Sequence, residues 1–132
     1  MKKVLLCFII ALAITACQKS KEQMGLKEAL VAKLQNDSDL KDYKIEPAEM
    51  AECVYQQIAD NAPGMPGDPK RPRYFEAYTK FVAVGSPGDA DRAIKEYQDV
   101  FGDVKAATNA AMSVTDSIMS CMGSAIDARR PE

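Results

Sequence analysis

The chain has 132 residues with 17 basic and 19 acidic side chains, a net charge of −2, and no histidine. Without imidazole it lacks the commonest general base, the commonest zinc ligand and the base of serine or cysteine triads, so many enzyme and metal classes are excluded. Nucleic acid is excluded as a partner on charge, because its phosphates need a concentrated basic face, and the only basic clusters are Lys70-Arg71-Arg73 and Arg129-Arg130.

The chain opens with Lys2 and Lys3, an apolar run from Val4 to Ile14 and small residues before Cys17. This is the anatomy of a secretory signal. The run is shorter than the roughly 20 apolar residues that cross about 30 Å of hydrocarbon as a helix. Its exit, Ile14-Thr15-Ala16-Cys17, resembles the lipobox of bacterial lipoproteins. The resemblance implies removal of residues 1–16 and multiple acylation of Cys17, which meets the need for more than one acyl chain in stable anchoring. It also implies, through Gln18 rather than aspartate after the cysteine, the periplasmic face of the outer membrane, or the cell membrane in a Gram-positive host. Loss of Lys2 and Lys3 leaves 15 basic against 19 acidic side chains, a net charge of −4.

Residues 17–23 are polar and charged and read as a lipidated tether. Residues 24–132 read as one domain, large enough for a single core. Apolar positions recur every three or four residues throughout, which predicts helices and no sheet. Leu26, Ala29, Leu30 and Leu34 form the stripe of a first helix, ended by Asn36-Asp37-Ser38-Asp39. Pro47 suits the first position of a second, with Met50, Cys53, Val54, Gln57 and Ile58 inward. From Ala62 to Arg73, prolines at 63, 66, 69 and 72 with Gly64 and Gly67 forbid a regular helix and predict an extended loop.

A third helix places Tyr74, Tyr78, Phe81 and Val82 on one face and stops at Gly85. Ser86-Pro87-Gly88-Asp89 reads as the cap of a fourth, with Ser86 as N-cap. The stripe of that helix is Ala90, Ala93, Ile94, Tyr97, Val100 and Phe101, and Gly102 is its stop. Asp103 then caps the longest helix, whose stripe is Val104, Ala107, Ala111, Val114, Ile118, Cys121 and Ala125. Thr108, Ser113, Thr115, Ser117, Ser120 and Ser124 read as its polar outer row. The expected fold is all-α, a compact bundle of about five helices with one internal disulfide.

That disulfide joins Cys53 to Cys121, the two cysteines left once Cys7 is removed and Cys17 acylated. Export implies an oxidising compartment, and there is no C-x-x-C motif and no histidine to support a redox or nucleophilic role. No metal site or cofactor is expected: the acidic run from Asp37 to Asp42 lacks the glycine and glutamate of a calcium loop. No catalytic residue is assigned. Carboxylate pairs occur at Glu49/Glu52 and Asp99/Asp103, but nothing places such a pair across a cleft. The expected function is a membrane-anchored binding module for an envelope protein, as an inhibitor, an immunity-type protector or an assembly accessory. Its surface would be Lys70, Arg71, Arg73 and Tyr74 on and beside the proline-rich loop. The alternatives are a hydrolase of envelope polymers acting through acidic residues, and a periplasmic holdase.

Overall fold

The computed structural model describes residues 25–130; the segments expected as leader (1–16) and lipidated tether (17–23), with Cys17, lie outside them. The described residues form an all-α bundle without strands. Its helices are α1 (25–34), α2 (Ser38–Asp42), α3 (Pro47–Asn61), α4 (Arg71–Ala83), α5 (Pro87–Phe101) and α6 (Val104–Ala128). The additional element beyond the five expected is α2, inside the polar run that ends α1. Asp37 does more than terminate: its carboxylate accepts the N–H groups of Asp39 and Leu40 at 2.9 and 3.2 Å and so starts a new turn, the usual act of an N-cap. That turn buries Leu40, and Lys44 in the left-handed region (φ 53°) lets the Ile45 N–H reach the Leu40 carbonyl and brings Ile45 into the core.

α3 begins at Pro47 as expected, but its buried face is Met50, Ala51, Val54, Tyr55 and Ile58. Cys53 and Gln57 lie at its half-buried margin. The face is turned because α3 packs on two sides. Towards α6 it presents Cys53 and Gln57; towards α1 and α4 it presents Tyr55, which stacks on Phe75 at 6.0 Å and lies under the Lys27 ammonium at 4.6 Å. The irregular stretch closes earlier than Arg73, since α4 starts at Arg71 with Pro72 in its first turn, where a missing donor is harmless. α4 also stops before Gly85: Val84 turns extended (ψ 133°) and ends it without a glycine.

Ser86, Pro87, Asp89 and Gly102 act as their spacing predicts. The Ser86 hydroxyl accepts the Asp89 N–H at 3.2 Å and donates to the Asp89 carboxylate at 2.8 Å. Gly102 takes φ 105°, a conformation open to glycine at little strain, and Asp103 accepts the Ala106 N–H at 2.7 Å to start α6. The expected stripe of α6 is buried or half-buried from Ala107 onward, but Val104 is 48% exposed at the helix start, where no neighbour covers the first turn. The hydroxyl row also divides. Ser117 is buried, and Ser113 is half-buried beside the Tyr78 hydroxyl, because α6 is covered by α3, α4 and α5 over more than one face.

α4 and α5 run antiparallel, as the Tyr74–Phe101 contact at 5.3 Å requires. They enclose an aromatic cluster in which Phe81 lies 5.9 to 6.4 Å from Tyr78, Tyr97 and Phe101. α6 returns along α3 in the opposite sense. The Cys53–Cys121 disulfide (Cα–Cα 6.0 Å) joins the two, flanked by Gln57 donating to Ser120 at 3.2 Å and Arg129 paired with Glu49 at 2.8 Å. No helix among the described residues is long and apolar enough to cross a membrane.

Candidate functional site

The loop between α3 and α4, residues 62–70, is the longest stretch of the described chain outside helices. It is shaped from within by Arg71. One guanidinium nitrogen of Arg71 donates to the Ala59 carbonyl at 2.7 Å and the other to the carbonyls of Gly64 at 2.5 Å and Ala62 at 3.4 Å. These carbonyls belong to the C-terminal turn of α3 and the residues after it, the groups a helix leaves without partners. A cation placed there also meets the negative end of the helix dipole. The Arg71 guanidinium carbon lies over the Phe75 ring, 5.3 Å from its centroid. Asp68 fastens the far side of the loop, accepting the Lys70 N–H at 2.8 Å. Gly64 and Gly67 take φ 84° and 96°, and a Cβ at Gly64 would approach the Asp68 carboxylate to 2.9 Å, so the turn is shaped for glycine at 64.

The four residues assigned to partner binding therefore have separate tasks. Arg71 is half-buried scaffold. Tyr74 is half-buried against Phe101. Arg73 is exposed and lies 3.5 Å from Asp99 on α5, which offsets part of its charge. Lys70 is exposed at the start of α4 and contributes a free ammonium to the loop surface among the described residues. The residue that the basic-aromatic reading missed is Met65, 81% exposed at the loop tip and the most exposed large apolar side chain described. Its signal was present as an apolar residue between two prolines and two glycines, a setting with no helix face on which to bury it.

The carboxylate pairs are engaged in holding the fold. Glu49 pairs with Arg129, and Glu52 lies 2.5 Å from the Lys27 ammonium. Hydrogen bonds from Lys27 and then Gln56 hold the Glu52 carboxyl below its ordinary range, so it stays ionised and is a poor proton donor near neutrality. Asp99 faces Arg73, and Asp103 caps α6. Among the described residues no group of three or more cysteine, aspartate and glutamate side chains is placed to hold a metal ion. Cys53 and Cys121 are oxidised to the disulfide, and Cys17, the expected lipid-bearing cysteine, lies outside the described residues. Tyr97 is the most perturbed titrating group: burial, reinforced by the Glu76 carboxylate accepting its O–H at 3.1 Å, pushes the phenol up to about 12. This bond ties α5 to α4.

At the other end of α4 an open apolar groove runs between the last residues of α4, the first turns of α5 and the middle of α6, with Lys33 of α1 at its edge. Searches against protein-family models, curated proteins and solved structures find no match to this chain.

Proposed function

We propose that this chain is an exported, lipid-anchored binding module, held through Cys17 at the periplasmic face of the outer membrane and docking an envelope protein through the 62–70 loop. The observation that supports it most is the way Arg71 holds this loop from within while Met65 and Lys70 remain outside. A contact loop already ordered before binding avoids much of the entropy of fixing side chains, about 0.5–1.5 kcal/mol for each one immobilised. An apolar tip beside a cation suits a small apolar depression rimmed by acidic side chains. The disulfide supports the same reading, since it stabilises a small domain of the kind found in an oxidising compartment.

Two experiments test the two halves. Growth of the host on an alkyne-bearing fatty acid labels the chain, and Cys17→Ser abolishes the label; a labelled Cys17→Ser variant refutes the anchor. A photo-reactive residue at position 65 of the full-length chain gives one discrete adduct in intact cells. That adduct is lost with Lys70→Glu and absent when the photo-reactive group stands at Asp91, near the opposite end of the α4–α5 hairpin. Indiscriminate adducts from both positions refute the loop as a docking site.

A further inference from the structure

The groove at the far end of α4 is a second site, independent of the loop reading. Phe81, Ile94, Ala111 and Ile118 are among the residues that line it, and Met112 forms part of its wall with 60% of its surface exposed. Along α6 it extends from Thr108 to Ile118, about 15 Å at the helical rise of 1.5 Å per residue. It holds about 270 Å³ and is open to solvent, so a ligand in it lies lengthwise along α6. The Thr108 hydroxyl is engaged with the Val104 carbonyl at 2.7 Å, which leaves the wall apolar there.

The groove carries a single charge. Lys33 is the one ionised side chain in its lining. Its ammonium donates to the Val84 carbonyl at 3.1 Å, which parks the charge at the end of α4, and an ammonium with three N–H donors has two left to offer. An elongated apolar groove with one cation held at its edge complements an amphiphile with one extended apolar tail and one negative head. We propose that the groove binds a linear long-chain fatty acid, its tail along α6 and its carboxylate on Lys33. The acyl chains expected on Cys17 are less suited, because their ester and amide links present no free carboxylate to the ammonium. Met112, unbranched and adaptable, can fold over a bound tail.

The test uses the full-length chain in phosphatidylcholine vesicles with palmitic acid that carries a diazirine in mid-chain. Irradiation labels the tryptic peptide 106–129, saturably and in competition with unlabelled palmitate. Loss of the Lys33 ammonium and its replacement by a like charge weakens labelling about five- to tenfold in Lys33→Glu, the range of a lost exposed ion pair with added repulsion. The methyl ester of the probe is weakened in parallel. Lys33 is exposed, so this variant keeps its fold, as circular dichroism verifies; Ala111→Trp fills the channel and removes labelling. Equal labelling by acid and ester, or no change in Lys33→Glu, shows mere partition from the bilayer and overturns the proposal. Labelling that appears only in Cys17→Ser overturns it too, by showing the groove filled by the chain's own lipid.

Discussion

The two halves of α6 are fixed to the bundle by different physics. The inward residues of its first half, Ala107, Ala110, Ala111 and Val114, are small and let α4 and α5 come close, and that half is held by burial against the aromatic cluster around Phe81. Its second half is held to α3 by the Cys53–Cys121 bond, the Gln57–Ser120 hydrogen bond and the Glu49–Arg129 pair. Burial stabilises the native state directly, in proportion to the apolar area removed from water. A disulfide acts largely by restricting the unfolded chain. One helix thus carries both devices, and each compensates for what the other end lacks: few aromatic side chains reach the disulfide end, and no covalent link or ion pair joins α6 to the aromatic end among the described residues.

Substitutions separate these contributions. The largest effect is expected at the centre of the aromatic cluster, where Phe81→Ala removes contacts to Tyr78, Tyr97 and Phe101 and lowers stability by about 3–5 kcal/mol. Urea unfolding measures it, and a loss under 1 kcal/mol would mean that the cluster does not hold the first half of α6. The next is the paired replacement Cys53→Ala and Cys121→Ala, which opens a link across 68 residues and destabilises by about 2–4 kcal/mol. Because this acts on the unfolded ensemble, the native near-ultraviolet spectrum should remain while the denaturation midpoint falls. If native packing is lost instead, the bond is holding strained geometry that burial alone does not maintain.

Arg71→Ala is expected to cost about 1.5–3 kcal/mol, the range for hydrogen bonds to a charged group, since it strips the donors from the end of α3. Proteolysis should then cut first within 62–70, whereas Lys70→Ala leaves both stability and cleavage unchanged. The smallest effect belongs to Glu76→Gln at the exposed edge of the aromatic half. Tyr97 titrates near 12, above the ordinary 10.0, so its contribution to stability is fully present below pH 10 and is lost as pH rises towards 12. With Glu76→Gln the phenolate absorbance should appear at lower pH, though still above 10, because burial is the leading cause. An unchanged titration would show that the Tyr97–Glu76 bond contributes nothing.

Much of the fold and part of the site were legible from local chemistry. The Ser86-Pro87-Gly88-Asp89 cap, the Gly102 stop and the Asp103 cap depend on groups within a few residues of one another, and the structure has them as read. The cysteine pairing was legible because the lipoprotein reading sets Cys7 and Cys17 aside and leaves Cys53 and Cys121 to each other, and the structure joins these two. Loop 62–70 was visible through its prolines, but the task of Arg71 was not: a sequence shows a cation in a basic cluster and cannot show that carbonyls of Ala59, Ala62 and Gly64, from the end of α3 and the loop after it, converge on it.

The same division runs through the helices. Periodicity of 3.6 gives the centre of a buried stripe, so Leu30, Val54, Phe81 and Val114 were found; it does not give the width of the stripe. That width depends on how many neighbours a helix has, which is why Ala51, Tyr55, Ala77 and Ser117 were buried by contacts from a second side. The groove under Lys33 is further removed still, since its walls come from four helices and its charge from a residue about fifty positions away from the carbonyl it holds. The sequence alone determined where helices start, stop and turn an apolar side, because those forces act within a few residues. Only the tertiary structure decided which cation is scaffold, which hydroxyl is inside and where an open channel remains, because these depend on groups that meet only when the helices pack.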